Sequence, residues 1–143
     1  MKKILALDIG SKRIGVAVTD PFGTYALPVG TYVRKNLKTD LAYIADLAKE
    51  RGAEEIVCGL PLNFDGSRSA QTEYTEVFIN ALKGAVSAPV FTSDERCTTA
   101  EAHSTLIAGN KRREERKKYV DALAATYILE GYLRNNKIKG EEK

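Results

Sequence analysis

Apolar residues form two short runs at the start of the chain, over residues 4–9 and 14–18. A connection of four residues, Gly10-Ser11-Lys12-Arg13, separates them. Two runs rich in β-branched residues with so short a connection predict a β-hairpin. Neither run alternates cleanly between apolar and polar positions. We therefore expect both faces of each strand to be covered, as in the middle of a sheet.

The rest of the chain alternates between strand and helix patterns. Further strands are predicted over residues 25–33, 55–60 and 89–95. The first of these is expected at a sheet edge, because Pro28 and Gly30 interrupt it. Helical spacing of apolar residues predicts helices over residues 37–51, 70–82, 98–108 and 120–131.

Two details of the second helix are predicted as well. The polar loop before it, residues 61–67, ends at Ser67, which is expected to cap the helix. Its apolar face is expected to consist of Ala70, Tyr74, Val77, Phe78, Ala81 and Leu82, with Tyr74 at a core or boundary position.

This order of elements predicts an α/β fold built on one mixed five-stranded sheet. Hairpin connections make strands one to three antiparallel, and helical crossovers make strands one, four and five parallel. Helices are expected on both faces of the sheet. The 143 residues are enough for one domain, residues 1–143, with residues 136–143 expected as a frayed tail.

Composition narrows the class of protein. The chain is 43% hydrophobic and 29% charged, which is typical of a soluble globular domain. No apolar stretch approaches the ~18 residues that span a bilayer, so no membrane association is predicted. Cys58 and Cys97 are too few for a disulfide framework or a zinc site, and a reduced, cytoplasmic setting is expected.

The net charge of +3 is unevenly distributed along the chain. Residues 110–143 carry ten Lys or Arg and six Asp or Glu, whereas the other 109 residues carry twelve and thirteen. Most of the excess lies in the basic cluster 111–118. Such a cluster is suited to phosphate binding, although a solvated helix face explains it equally well.

Three acidic residues stand where a carboxylate is costly. Asp8 lies between Leu7 and Ile9 in the first strand, and an unpaired buried carboxylate costs several kcal/mol. Glu95 follows the fifth strand, and Asp121 adjoins the apolar stripe of the last helix. If strands one and five flank strand four, all three converge at one end of the sheet.

Such a trio of oxygen ligands suits Mg²⁺ or Mn²⁺ better than zinc. Asp8, Glu95 and Asp121 are thus predicted as metal ligands and catalytic residues. Each has a simpler alternative: Asp8 can accept hydrogen bonds from the following turn, Glu95 can cap a helix, and Asp121 can face solvent. Asp94 competes with Glu95, but strand alternation points the two to opposite faces.

Donors near these acids predict binding of phosphate or nucleic acid. The candidate residues are Lys12, Arg13, Asn63, Arg96, Lys117 and Lys118. Arginine can grip two phosphate oxygens at once. For the pair in the hairpin turn, a solvated turn is the alternative. His103 and the two cysteines have no partners at a telling spacing, and structural roles are expected for them.

Four motifs together resemble the YqgF family. They are residues 7–17 (LDIGSKRIGVA), 59–67 (GLPLNFDGS), 94–99 (DERCTT) and 120–125 (VDALAA), and the resemblance extends from Leu5 to Leu133. This family comprises bacterial proteins described as Holliday junction resolvases and as nucleases that mature the 5′ end of pre-16S rRNA. The resemblance implies a ribonuclease H-like fold and an acidic site at Asp8, Glu95 and Asp121.

The leading hypothesis is a divalent-metal-dependent endonuclease that cleaves structured RNA or branched DNA. Pre-16S rRNA and a four-way DNA junction both remain possible substrates. An ATPase or phosphotransferase is an alternative, because Asp-x-Gly before a hairpin also opens the actin and sugar-kinase fold. A nucleic-acid-binding module without catalysis is another. A monomer and a homodimer are both compatible with the sequence, although resolving a junction needs two symmetric sites.

Overall fold

The structure is a computed structural model that describes residues 2–63, 65–94 and 122–134. Its elements are β1 (Ile4–Ile9), β2 (Arg13–Thr19), β3 (Ala26–Val33), α1 (Leu37–Arg51), β4 (Glu55–Leu60), α2 (Ala70–Ala85) and β5 (Val90–Asp94). Residues 122–134 are helical. The helix predicted over 98–108, the basic cluster 111–118 and the tail 136–143 lie outside the described residues.

The five strands form one mixed sheet in the order β3-β2-β1-β4-β5. The pairs β1–β2 and β2–β3 are antiparallel, while β1–β4 and β4–β5 are parallel. This arrangement confirms the predicted mixed sheet, with the first and fifth strands on either side of the fourth. The central position of β1 follows from its composition, since its near-continuous apolar run can be covered on both faces.

Separate hydrophobic cores lie on the two faces of the sheet. On one face, Leu5, Leu7 and Ile9 of β1 pack in the core that contains Ile44 of α1 and Phe78 of α2. On the other face, a smaller core joins the sheet to the helical segment 122–134, and its members are Ile4, Ala6, Ala17, Val57, Ala125, Ile128 and Leu129. Alternate residues of β1 therefore face different helices.

Helix α2 buries a set of residues that differs in part from the set that the sequence predicts. Phe78 and Leu82 of the predicted apolar face are buried, but Tyr74 and Val77 are 40% and 65% exposed. Thr72 and Thr75 are fully buried in their place. The N-cap lies two residues later than predicted. Ser69, not Ser67, accepts a hydrogen bond from the Thr72 N–H in a capping box. The Thr72 hydroxyl donates to the Pro61 carbonyl, which draws this side of the helix against the end of β4.

Strand β3 forms one edge of the sheet, as its Pro28 and Gly30 predicted. Val16 pairs with Gly30 and Ala17 pairs with Pro28, so Val29 is an extra residue and forms a bulge. Gly30 has a φ of 151°, in a region that side chains rarely adopt. The edge strand is therefore irregular in its middle.

The turn between β1 and β2 is tight. The Gly10 N–H donates to the Arg13 carbonyl over 2.8 Å, so Ser11 and Lys12 form its tip. The Gly10 carbonyl accepts a hydrogen bond from Arg34 Nη1 over 3.0 Å, and the Lys12 carbonyl accepts one from the Arg34 N–H over 2.9 Å. The end of β3 thus holds the turn in place from both sides.

An ion pair between Arg34 and Asp40 connects this turn to α1. Arg34 Nε lies 2.9 Å from Asp40 Oδ2, and the two side chains are 11% and 1% exposed. Asp40 also accepts hydrogen bonds from the Tyr32 hydroxyl and the Lys35 N–H, both over 2.9 Å. Burial raises the pKa of the Asp40 carboxyl, but these hydrogen bonds outweigh burial and hold its pKa below the ordinary value.

Substitution of Gly10 by Ala is expected to destabilise the fold. A Cβ at this position would lie 2.7 Å from the Arg13 carbonyl oxygen, so the backbone of the turn must shift. We expect the free energy of unfolding, measured by urea denaturation, to fall by about 1–3 kcal/mol. The control is Gly84→Ala on α2, where the new Cβ meets nothing within 4 Å and a gain of about 0.5–1 kcal/mol is expected. Equal effects at the two glycines would contradict this account.

Asp40→Asn is expected to lower the free energy of unfolding by about 3–5 kcal/mol at pH 7, because it leaves the Arg34 charge buried without its partner. Urea denaturation measures the change. The matched control is Asp46→Asn on the solvent side of the same helix, which should stay within about 0.5 kcal/mol of the wild type. A loss below about 1 kcal/mol for Asp40→Asn would show that the pair is dispensable.

The Asp40 contribution is also expected to depend on pH. The carboxyl has a lower pKa in the folded chain than the about 3.9 of an unfolded chain, so its stabilising effect is complete above that value. It is lost as the pH falls through the folded pKa. The difference in unfolding free energy between wild type and Asp40→Asn should therefore shrink below about pH 4. A difference that stays constant down to pH 2.5 would contradict the lowered pKa.

Candidate functional site

Asp8 lies near the carboxyl end of the central strand. It pairs with Gly15 of β2, and it is half-buried. Ile4 and Ala6, which share its side of β1 by strand alternation, belong to the core beneath the helical segment 122–134. The Asp8 carboxylate is therefore on the same face of the sheet as this segment, opposite α1 and α2.

Glycines occupy the neighbouring strands beside Asp8. Gly15 is its partner on β2, and on β4 the register Leu7–Cys58 brings Gly59 next to it. Glycine within a strand commonly marks a place where a ligand or another backbone approaches the sheet closely. A group bound by the Asp8 carboxylate can thus lie directly against the backbone of β2 and β4.

The helical segment 122–134 packs on the sheet with its C-terminal end at the start of β4. The Tyr132 hydroxyl donates to Glu55 Oε1 over 3.0 Å at the start of β4, and the Tyr132 ring lies 6.1 Å from that of Phe91. Residue 122 is ten residues earlier, or about 15 Å along the helix axis. Strand β4 is about 16 Å long. The segment therefore begins toward the end of the sheet where Asp8 lies.

Strand β5 ends at the same end of the sheet. Ser93 pairs with Gly59, and Asp94 pairs with Leu60, which packs in the core of α1 and α2. Asp94 thus lies on the face opposite Asp8, and this position is unfavourable for a shared metal ion. Glu95 and Asp121, predicted as the other ligands, lie outside the described residues, as do Arg96, Lys117 and Lys118.

The loop after β4 is held together by its own polar groups. Asn63 Nδ2 donates to Ser67 Oγ over 2.9 Å, and the Ser67 hydroxyl donates to Asp65 Oδ1 over 2.6 Å. Gly66, with a φ of 87°, turns the chain between them. Both Asn63 and Ser67 are exposed, so the loop presents polar atoms at the end of the sheet that carries Asp8.

The start of α2 connects this loop to the first strand. Gln71 Nε2 donates to the Ile9 carbonyl over 3.4 Å, one residue after Asp8. The hairpin turn adds basic groups nearby: Lys12 at its tip is exposed, and Arg13 is half-buried. Among the predicted phosphate-binding residues, the structure thus places Lys12, Arg13 and Asn63 at the same end of the sheet as Asp8.

Sequence reasoning missed the residues that hold the turn. Arg34 follows β3, Asp40 lies on α1 and Tyr74 on α2. The Arg34 guanidinium lies 5.3 Å and 4.9 Å from the ring centroids of Tyr74 and Phe78. The sequence contains one signal of the ion pair between Arg34 and Asp40. Asp40 falls on the apolar face of α1, four residues before Ile44, where a charge needs a partner.

The described site is one carboxylate on a glycine-lined surface, with basic and polar groups around it. The described residues contain no group of three or more His, Cys, Asp or Glu able to hold a metal ion.

Cys58 is fully buried behind this surface, and burial raises the pKa of its thiol to about 12, so it is neutral and packs as a small apolar residue. No described helix is long and apolar enough to cross a membrane.

Solved structures with a similar fold include junction resolvases. Thermus thermophilus RuvC in complex with a Holliday junction substrate superposes with a TM-score of 0.57 at 12% identity, covering 96% of each chain. The Fowlpox virus resolvase in complex with Holliday junction DNA gives a TM-score of 0.54 at 12% identity, over 93% of this chain and 97% of that one. These similarities confirm the ribonuclease H-like fold.

Sequence comparisons identify the family. A protein from Clostridium tetani named "Putative pre-16S rRNA nuclease" is 44% identical over 131 residues, which are 92% of this chain and 95% of that protein. A protein of the same name from Moorella thermoacetica is also 44% identical, over 92% and 94% of the two chains. The family model RuvX, described as Holliday junction resolvase, matches residues 2–135. The chain therefore belongs to the RuvX family, the YqgF family that its motifs resemble.

Proposed function

We propose that this protein is a divalent-metal-dependent endonuclease that hydrolyses phosphodiester bonds in the maturation of the 5′ end of pre-16S rRNA. The observation that carries the proposal is the position of Asp8, a half-buried carboxylate with glycines on both neighbouring strands. The curated relatives, 44% identical over almost their whole length, carry the name of this activity. Their name also favours a cytoplasmic role.

Asp8, Glu95 and Asp121 are the proposed ligands of Mg²⁺ or Mn²⁺. Asp8 fits this role, because a hard cation prefers carboxylate oxygens and the adjacent glycines allow close approach. Glu95 follows Asp94 at the end of β5, and Asp121 precedes the helical segment that begins toward Asp8. When bound, the cation supplies a nucleophilic water at neutral pH and stabilises negative charge on the phosphate.

The chain itself orients the substrate. Lys12 and Arg13 in the hairpin turn, and Asn63 in the loop after β4, are proposed to bind phosphate oxygens on either side of Asp8. Arg96, Lys117 and Lys118 are proposed to extend this contact. Glu95 is proposed either as a ligand or as the base that orients the attacking water. Charge-assisted hydrogen bonds of this kind are the stronger ones in proteins.

A second candidate function is the resolution of Holliday junctions in DNA. The description of the family model and the similarity of the fold to two resolvases favour it. Cleaving two opposed strands of a junction needs two symmetric sites, so this function implies a homodimer. Trimming of rRNA can be carried out by a monomer. The oligomeric state in the presence of substrate therefore helps to separate the two functions.

Asp8→Asn is expected to lower the rate of Mn²⁺-dependent cleavage by more than about 100-fold, since the bound cation contributes several kcal/mol of charge stabilisation. The assay uses labelled 5′ segments of pre-16S rRNA and a synthetic four-way junction side by side. The same variant should lose the rise in Tm that Mn²⁺ produces in the wild type. Asp46→Asn, on the exposed side of α1, is the matched control and should behave as wild type.

Full Mn²⁺-dependent cleavage by Asp8→Asn would exclude Asp8 as a ligand. Cleavage of the junction but not of the rRNA segment would favour the resolvase function. If the wild type cleaves neither substrate with any divalent metal and yet binds both, the protein is a nucleic-acid-binding module without catalysis.

A further inference from the structure

A groove of about 440 Å³ lies beside the hairpin turn, on the side of the sheet covered by α1 and α2. Its walls come from the turn, the end of β3, the start of α1 and the first turns of α2. The lining residues that matter for its chemistry are Lys12, Arg13, Arg34, Lys35, Asn36 and Tyr74. The acidic site proposed above lies on the other face, so the turn after Asp8 separates the two.

The groove is basic. Four of its described lining residues are Lys or Arg, and Asp40 is the acidic one among them. Asp40 is 1% exposed and is paired with Arg34, so these two charges offset each other and the groove keeps an excess of three Lys or Arg. The N-terminus of α1, capped by Asn36, also lies at this groove. The net positive charge of its lining residues favours a phosphate backbone.

Tyr74 adds an aromatic surface to this basic groove. It is 40% exposed on α2, more than the core or boundary position that its spacing predicts. Arg34 Nη1 donates to its hydroxyl, and the Arg34 guanidinium lies 5.3 Å from its ring centroid. Arg34 is in turn fixed by Asp40 and by the Gly10 carbonyl. The ring is therefore held in one orientation while part of its surface stays accessible.

An oriented aromatic ring among cations is the arrangement by which proteins bind unpaired nucleotides, whose bases stack on the ring while lysines contact the phosphates. In a duplex the faces of the bases are already stacked on one another. Tyr74 thus favours a single strand over a duplex.

We propose that this groove binds a single-stranded segment of the RNA substrate adjacent to the bond that is cut, with Tyr74 stacking on a base and Lys35 contacting a phosphate. Lys12, at the tip of the turn between the acidic site and the groove, contacts the phosphate where the strand crosses from one to the other. Gly10, which Arg34 holds, is two residues from Asp8, so a strand that crosses the turn passes from the acidic site into the groove. The inference rests on the proposed nuclease function and specifies which part of the substrate the protein recognises.

The test measures binding without cleavage. Fluorescence anisotropy in EDTA compares a labelled single strand of about ten RNA nucleotides with a hairpin duplex of the same sequence. Tyr74→Ala is expected to weaken single-strand binding by about 5- to 100-fold, whereas Tyr74→Phe, which keeps the ring, should stay within about twofold. Urea denaturation of both variants verifies that they fold.

Lys35→Gln tests the phosphate contact independently. Between about 50 and 200 mM salt, it should reduce the slope of log affinity against log salt concentration by about 0.7, the value for one phosphate contact on a single strand. Lys49→Gln at the other end of α1 is the matched control and should leave the slope unchanged.

Three outcomes would overturn the inference: equal affinity of Tyr74→Ala and wild type, a preference of the wild type for the duplex, or equal effects of Lys35→Gln and Lys49→Gln. Parallel cleavage assays in Mn²⁺ keep this result separate from the enzymatic proposal. Wild-type cleavage with unaffected binding in the variants contradicts only the groove. Impaired binding in the variants without cleavage by the wild type supports the groove and contradicts the nuclease.

Discussion

The arrangement of the molecule depends on one constraint: a carboxylate stands on a strand that is covered on both faces. Strand β1 supplies Leu5, Leu7 and Ile9 to one core and Ile4 and Ala6 to the other, and Asp8 interrupts the second series. A charge at that position is tolerated only with polar or cationic partners. The sheet accommodates the Asp8 carboxylate because the apolar core on that face ends at Ala6. Glycines lie beside Asp8 on the neighbouring strands, and the polar loop after β4 lies beyond it.

The elements that could be predicted from the sequence are those with a local signal. The apolar runs of β1 and β2 predicted strands in the middle of the sheet, and Pro28 with Gly30 predicted the edge position of β3. Gly52 ends α1 with a φ of 67°, as a glycine after a helical stretch predicts. The division into antiparallel and parallel strands followed as well, because hairpins and helical crossovers allow few topologies.

The contacts around the turn could not be predicted, because their partners are distant in sequence. Arg34 and Tyr74 are 40 residues apart, and nothing in either segment indicates the other. The apolar face predicted for α2 is right for Phe78 and Leu82, which are buried, but wrong for Val77, which is exposed. The Thr72 hydroxyl donates to the Pro61 carbonyl, an acceptor eleven residues away, and this hydrogen bond allows a polar residue of α2 to be buried. Glu95 and Asp121 stay predictions, since both lie outside the described residues.

The irregularity of β3 has a consequence for how copies of this protein meet. Pro28 lacks an amide hydrogen, and the bulge at Val29 displaces the backbone groups on either side of it. A strand from another molecule therefore finds no regular ladder along this border and gains little by pairing there. The exposed apolar side chains of β3, Leu27 and Val33, can stay at the surface without seeding edge-to-edge aggregation.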